Sequence, residues 1–266
     1  MRQVSGVLIT FNEETKVESA LESLAPVCDE IIVVDSLSTD RTPDICRRFA
    51  DRFVQREWAG YRDQKQFAAD LARSDWILSL DADERLSAEL QESLRIWKKE
   101  TSEGPAGFYL PRISFFLGRW IRHTTWYPDW QLRLYRKSAG RWVGGHVHES
   151  VAVDGPTDRL SGHIEHFTYS SLSEYLKQLE RFSELAALDY WEHGRRTGLG
   201  RLLLSPPLVF LKNFLIKAGF LDGMPGLMVS FLAATSTFFK LARLWELQLE
   251  GKERVPPIRK PGASRS

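Results

Sequence analysis

Residues 76–84 read Trp76-Ile77-Leu78-Ser79-Leu80-Asp81-Ala82-Asp83-Glu84. An apolar run this short that stops at carboxylates predicts a strand buried on both faces, with polar groups where it leaves the sheet. Two carboxylates one residue apart at such an exit can reach one divalent cation and a nucleotide together. Oxygen ligands of this kind suit Mg2+ or Mn2+, which also bind diphosphate. The same residue types also make a solvated turn with an acidic helix start, and both readings stand at this point.

Working back towards residue 1, the pattern of that strand recurs. Val4–Thr10 predicts a buried strand, and residues 14–25 carry Val17, Ala20, Leu21 and Leu24 at helical spacing. Val7 to Phe11 is too short for a signal-peptide core and runs into Glu13 and Glu14, so a leader is not expected there. Ile31–Val34 is a β-branched run. Asp40 can cap a helix through Ala50, with Ile45 and Phe49 inward. Phe53–Gln55 predicts a short strand, and residues 62–73 a helix with Phe67, Ala68 and Leu71 inward. Beyond the quoted stretch, Ser87 caps a helix that turns Leu90, Leu94 and Trp97 inward. Strand and helix alternating with short connections predict an α/β fold, a mostly parallel sheet with helices on both faces and a ligand at the carboxyl ends of the strands.

Two more strands leave the sheet as the quoted one does. Val33-Val34-Asp35-Ser36 is followed by Ser38, Thr39 and Asp40, and Thr10-Phe11-Asn12-Glu13 ends the first strand. Asp35 can accept from a base or ribose donor. The plain alternatives are N-capping by Asp40 and Asn12, with Asp35 an ordinary loop acid. Three polar exits from adjacent parallel strands would open at one sheet edge, and that shared placement points to a nucleotide site. No GxGxxG follows the first strand, which argues against a dinucleotide-binding dehydrogenase.

Here the chain resembles the family 2 inverting glycosyltransferases of GT-A fold. The residues that carry the likeness are Thr10-Phe-Asn-Glu13, Val34-Asp35-Ser-Leu-Ser-Thr-Asp40-Arg-Thr42 and Asp81-Ala-Asp83. Tyr127-Pro-Asp129, Arg133-Leu-Tyr-Arg136 and Val147-His-Glu149 narrow it to the lipopolysaccharide-core branch, the β-1,4-glucosyltransferases that add glucose to an inner-core heptose. The resemblance implies a Rossmann-like GT-A catalytic domain over 1–168, its nucleotide-sugar half at about 1–100 and its acceptor half at about 101–168. It implies that Thr10, Asn12 and Glu13 line a uridine pocket, that Asp35, followed by Ser36, reads the uracil, and that Asp81 contacts ribose. It also implies that Asp83 binds Mg2+ or Mn2+ on the diphosphate of a UDP-hexose. Lys65 stands where relatives place a basic or amide group near the donor; the plainer reading, a solvated helix residue, is preferred here. Asp129 is the expected general base and Glu149 its rival. Pro128 occupies the position where relatives more often carry Glu, and Gln131-Leu-Arg-Leu replaces the box typical of processive enzymes.

Five of the six histidines lie between His123 and His166. No HExxH is present, and loop histidines with ordinary partners are the expected reading for His123, His146 and His163. His166 or His148 is a candidate third metal ligand or diphosphate contact. Trp120, Trp126, Trp130 and Trp142 place four of nine tryptophans within 23 residues. They suit either an acceptor-sugar cleft or a second small core. Arg119, Arg122, Arg133 and Arg136, interleaved with them, could bind phosphate on an anionic glycolipid acceptor.

The 266 residues are 43% apolar and 27% charged, a globular composition, and the net charge of +1 excludes a generally basic nucleic-acid binder. Cys28 and Cys46 are too few for a disulfide framework. The small net charge conceals an uneven distribution. Residues 201–266 hold ten Lys and Arg against four Asp and Glu, a net of +6, while the first 200 residues hold 26 against 31, a net of −5. Ser171-Leu-Ser-Glu174 is a capping box that opens a helix with Leu172, Tyr175, Leu179, Phe182 and Leu185 or Ala186 on one face. Leu202–Leu211, Leu215–Phe220 and Leu227–Phe239 are apolar segments flanked by basic residues, none reaching the roughly 18–20 uninterrupted apolar residues of a membrane span. Phe220-Leu-Asp222-Gly223 and Gly226 are expected to break them into a helical hairpin. Residues 169–250 are therefore expected to form a helical, membrane-proximal appendage that dips into an anionic headgroup layer, with a disordered tail at 251–266. A helical cap on the catalytic domain or a dimer interface is the alternative. The expected location is cytoplasmic, on the inner face of the cytoplasmic membrane. Two other function classes remain open at this stage: a transferase to a polyprenyl phosphate or protein, and a non-catalytic membrane adaptor on the same scaffold.

Overall fold

The computed structural model describes residues 1–100, 104–144, 149–169 and 171–251. His146, His148 and the expected tail from 252 on lie outside the described residues. The chain begins β1 (Val4–Thr10), α1 (Val17–Leu24), β2 (Glu30–Asp35), α2 (Thr42–Phe49), β3 (Arg52–Gln55), α3 (Tyr61–Asp70), β4 (Trp76–Asp81), β5 (Glu84–Leu86) and α4 (Ala88–Lys99). Strands β6 (Gly107–Phe116), β7 (Arg119–Ile121), β8 (Asp129–Arg136), β9 (Gly140–Val143), β10 (Ser150–Val153), β11 (Thr157–Arg159) and β12 (Ile164–His166) follow. Helices α5 (Leu172–Glu192), α6 (Leu199–Leu211) and α7 (Gly223–Glu250) close the described chain. Two compact units result. The first is Met1–Arg112 with Trp130–Phe167; the second is Ile113–Asp129 with the described residues from Thr168 on.

The main sheet has the order β3-β2-β1-β4-β8-β6-β12-β5, with β7 and β11 added along β6. Strands β3, β2, β1 and β4 run parallel, and β8 pairs antiparallel with β4. Alternation along each buried strand feeds two cores. Leu8, Val33, Leu78 and Leu80 face α1, α2 and α4, while Val7, Ile32, Val34 and Ile77 face α3. The Ser87 hydroxyl accepts the Leu90 N–H and caps α4 as expected. The predicted strands and helices of the first hundred residues are all present. Strand β5 was not foreseen: it is three residues long and is held by antiparallel pairing with β12, eighty residues on.

In the second unit, α5 opens at Ser171, whose hydroxyl accepts the Glu174 N–H. Its inner face is Tyr175, Leu179, Ser183 and Ala187, spaced four apart, with Leu188 beside them. The expected inward Leu172 and Phe182 are exposed instead, because α7 meets α5 along that face, with Tyr175 and Leu179 packed in one cluster with Val229 and Leu232. Helix α6 runs on as a wider turn over Lys212–Ile216, and a 3-10 turn at Gly219–Asp222 leads into α7. This is the expected hairpin. Gly226, however, does not break it. It lies inside α7, where a Cβ would collide with the Gly219 carbonyl, so its role is close approach.

The expectation that no segment is long enough to span is also corrected. Leu199–Ile216 and Gly219–Leu249 are each long and apolar enough to cross a membrane by length and composition. The apolar runs are interrupted in sequence, but the helices continue through Pro206-Pro207 and Lys212. The hairpin tip is tied to the loop after β7. Buried Asp222 accepts the backbone N–H of Arg122 at 3.1 Å and of His123 at 2.8 Å, and its other oxygen lies 2.9 Å from His123 Nδ1. Buried Asn213 accepts the Thr125 N–H at 2.7 Å. Between them Thr124 is held at φ +67, a left-handed conformation that a β-branched residue adopts only under constraint.

Candidate active site

The three polar exits meet at one edge of the first unit, because the parallel register pairs Thr10 with Asp35 and Ile9 with Asp81. At the first two exits the side chains bind one another. Asp35 is fully buried. One oxygen accepts from the hydroxyls of Thr10 (3.0 Å) and Ser38, the other from the Ser38 N–H and Gln55 Nε2, both at 2.9 Å. Asn12, at φ +54, accepts the Thr39 N–H at 2.9 Å and donates its own N–H to Ser38 Oγ. It thus joins the loops after β1 and β2 and does not cap α1. The Glu13 N–H donates to Thr42 Oγ1 at 2.7 Å, and Gln64 Nε2 donates to Ser36 Oγ at 3.0 Å. Asp40 accepts from the Thr42 and Glu14 N–H groups, but it is not the cap expected of it: Arg41 stands at the N-cap of α2, with no side-chain cap bond.

At the third exit charge gathers. Lys65 Nζ lies 2.8 Å from Asp81 Oδ1 and 2.9 Å from Glu149 Oε1. Arg133 Nη2 bonds Asp81 Oδ2 at 2.6 Å and Glu84 Oε1 at 3.0 Å, and Arg112 Nη1 meets the same Glu84 oxygen at 2.9 Å. The reading of Lys65 as a solvated helix residue is therefore overturned: it is only 5% exposed. Helix α3 buries Gln64, Lys65, Ala68 and Ala69, so polar side chains occupy half of its inner face and mask the period. Burial works hardest against the Asp81 carboxylate, but Arg133 and Lys65 together outweigh it and hold Asp81 well below the usual carboxylate range. Burial likewise disfavours the Lys65 ammonium. Asp81 and Glu149 overcome it, against the opposing charge of Arg133, and raise Lys65 above an ordinary lysine.

Asp83 points to a different partner. The pairing of β5 with β12 sets Glu84 opposite His166, which leaves His166 Nε2 3.3 Å from Asp83 Oδ2. Burial opposes the charge of Asp83 most strongly, yet His166 prevails and lowers its titration. Among the described residues no three His, Cys, Asp or Glu side chains are grouped as a metal cage. Asp83 and His166 alone fit a cation that keeps most of its shell for water and diphosphate oxygens, as Mg2+ does.

The sequence reading missed Glu84, Arg112 and Arg133 as members of this network. Arg133, a candidate for acceptor phosphate in the sequence, pairs with Asp81 and Glu84. A lone arginine in the otherwise apolar β6 was the available signal for Arg112. Of the four clustered tryptophans, Trp120 and Trp126 belong to the second unit and Trp130 and Trp142 to the first. Trp126 packs on Phe116 in the second unit's core and Trp120 on Phe115. Trp130 carries Arg159 over its ring, and Trp142 lies in the α3-side core. Asp129 falls in the second unit, at the start of β8.

Residues 5–159, more than half the chain, match the family described as Glycosyl transferase family 2. The chain belongs to glycosyl transferase family 2. It is 30% identical to the lipopolysaccharide core biosynthesis glycosyltransferase LpsC of Rhizobium meliloti, over 88% of this chain and 92% of that one. An uncharacterized glycosyltransferase of Rickettsia typhi is 29% identical over 96% of this chain and 91% of its own. Among solved structures, the mannosyltransferase PcManGT of Pyrobaculum calidifontis, described in complex with GDP-mannose and Mn2+, superposes with a TM-score of 0.53. That likeness, at 14% identity over 92% of this chain and 88% of the other, is one of fold. The family 2 glycosyltransferase described here thus has the GT-A arrangement, with a helical part at its C-terminal end.

Proposed function

We propose that this glycosyltransferase moves a hexosyl group, glucose from UDP-glucose, onto a lipopolysaccharide-core acceptor, in β-1,4 linkage to an inner-core heptose and with inversion. The observation that carries the reading is the contrast between two carboxylates one residue apart. Asp81 is locked by Lys65 and Arg133, while Asp83 faces His166. Asp83 and His166 would hold Mg2+ or Mn2+ against the donor. A cation there supplies positive charge to the leaving diphosphate. Thr10, Asn12, Glu13, Asp35 and Ser36 form the nucleoside end of the site, with Asp81 at the ribose and Lys65 beside it. Asp129 takes the proton from the acceptor hydroxyl as that oxygen bonds to C1 and the bond from C1 to the diphosphate oxygen breaks. Glu149 is the weaker candidate, because one of its oxygens is engaged by Lys65 at 2.9 Å. The name of the Rhizobium meliloti relative supports the acceptor class. Incubation with UDP-glucose, Mn2+ and a core oligosaccharide that lacks the glucose is expected to yield a β-linked product by proton NMR. An α-linked product would contradict a single displacement.

The same reading places the enzyme on the inner face of the cytoplasmic membrane. Leu204, Leu208, Ile216, Met224 and Phe231 are exposed along the hairpin, and the exposed charges from 201 to 239 are Arg201, Lys212 and Lys217, all basic. Such a face suits an anionic headgroup layer. The bonds from Asp222 and Asn213 to residues 122–125 favour a hairpin lying along the surface, since a spanning one would carry that loop across with its tip. The full chain is expected to float with phosphatidylglycerol vesicles and less with phosphatidylcholine. Complete recovery in the vesicle-free fraction with both would exclude the surface role.

A further inference from the structure

We infer that the open end of the C-terminal hairpin clasps the phosphate of an anionic lipid headgroup, with Arg195, Arg196 and Lys240 as donors seated on Tyr190 and Trp191. This rests on the membrane-surface reading above and extends it to a site outside the stretch from 201 to 239, with named residues and a ligand chemistry. The site follows from how α5 stops. Gly194, at φ +70, is the left-handed residue that ends the helix. Its N–H donates to the Trp191 carbonyl at 3.0 Å and the Arg195 N–H to the Tyr190 carbonyl at 2.8 Å, so the chain doubles back over its own last turn. The Arg195 guanidinium then lies 4.7 Å from the Tyr190 ring centre, and that of Arg196 4.0 Å from the Trp191 ring centre. Lys240 reaches the same tyrosine from α7: its Nζ is 4.7 Å from the ring centre and donates to the hydroxyl at 3.3 Å. Gln248 fixes the turn to α7, accepting the Thr197 N–H at 2.6 Å and donating to the Thr197 carbonyl at 3.0 Å.

A guanidinium held on a ring face keeps its edge donors for an anion. Arg196 spends one of its N–H groups on the Arg195 carbonyl at 3.0 Å. Among the described residues none of the three cations pairs with a carboxylate. Asp189 is engaged by His193 at 3.5 Å, Glu184 by Arg243 at 3.6 Å, and Glu192 is exposed. Helix α6 begins with no acid in its first turn, and the sequence from 252 on adds five basic residues and one acid. Burial works hardest against ionising the Tyr190 hydroxyl, yet Lys240 and Arg195 outweigh it and lower its titration, as a locally positive field does. The surface that continues from the clasp selects a lipid over a free anion. Leu199, Leu203 and Leu204 are 60%, 59% and 64% exposed. Acyl chains cover such leucines, while tryptophan, tyrosine and basic side chains sit at headgroup level.

The test is flotation of the full chain with phosphatidylcholine vesicles, with and without phosphatidylglycerol, for the parent and for Arg195→Gln/Arg196→Gln/Lys240→Gln. At about fivefold per basic residue near such a surface, the triple variant is expected to bind the phosphatidylglycerol vesicles about 10²-fold more weakly. Arg47→Gln/Arg48→Gln/Arg95→Gln removes the same charge from half-exposed helix positions of the first unit and should bind within about twofold of the parent. Arg195→Lys/Arg196→Lys keeps the charge, loses the stacked planar donors and is expected to weaken binding about threefold; it decides the matter should the triple variant not fold. Inorganic phosphate should displace the parent no more than sodium chloride of equal ionic strength. A triple variant or a lysine pair that floats as the parent does would overturn the inference with the membrane role intact. So would an equal loss in the first-unit variant, or selective displacement by phosphate, which would assign the clasp to a soluble anion. Parent protein recovered free of both vesicles would instead remove the surface reading, and the inference with it.

Discussion

Asp129→Asn is expected to lower kcat for transfer about 10²–10⁴-fold, with the Kd for donor unchanged within about twofold. The amide keeps the size of the carboxylate and loses the ability to take a proton, so the deficit should fall on the chemical step. Glu149→Gln is expected to cost less in kcat and to show its effect in donor binding, because Glu149 is tied to Lys65 inside the ion network. Steady-state kinetics of both variants on one acceptor decide between them. A larger kcat loss in Glu149→Gln than in Asp129→Asn would reverse the assignment of the base.

Arg133→Met should produce the largest loss of stability among site variants, about 3–5 kcal/mol. Arg133 is 3% exposed and bonds two carboxylates, of which Glu84 is completely buried. Methionine fills similar volume, but leaves Asp81 with Lys65 as its one cation among the described residues and Glu84 with Arg112 and the Asp81 N–H. The lowered titration of Asp81 has Arg133 as its main favourable cause, so this variant should also lose stability at neutral pH, where the carboxylate is charged. Urea unfolding measures the loss, and the double variant Arg133→Met/Glu84→Gln should recover part of it. A change under about 1 kcal/mol would mean that the network contributes little to the fold.

The parallel half of the sheet was legible because each of β1, β2 and β4 is an apolar run ending in a polar residue, a signal carried within one short segment. The placement of Asp81 and Asp83 at a strand exit followed from the same signal. What was not legible depends on residues far apart in sequence. Strand β5 exists because Ile164–His166 pairs with it, and that pairing is also what brings His166 to Asp83. Burial of Lys65 depends on Asp81 and Glu149, the latter 84 positions away. Hydrophobic periodicity cannot register a buried lysine, since charged side chains enter a core only with their partners. The inner face of α5 was misread for a related reason. Leucine and phenylalanine at helical spacing mark several possible faces, and α7 decides which one is covered. The apolar, basic character of the hairpin was plain in composition, whereas its continuity as helix through Pro206-Pro207 was not.

Asp83 is the residue on which the proposed chemistry most directly depends. Turnover of UDP-glucose, together with a panel of UDP- and GDP-sugars, should be measured with Mn2+ or Mg2+ for the parent and for Asp83→Ala. The parent is expected to release nucleoside diphosphate from at least one sugar nucleotide, faster with the cation than with chelator. Asp83→Ala, folded by its thermal transition, is expected to lose at least about 10²-fold of that rate. An Asp83→Ala protein that turns over the donor at the parent's rate, or a parent that neither binds nor turns over any sugar nucleotide, would contradict the account.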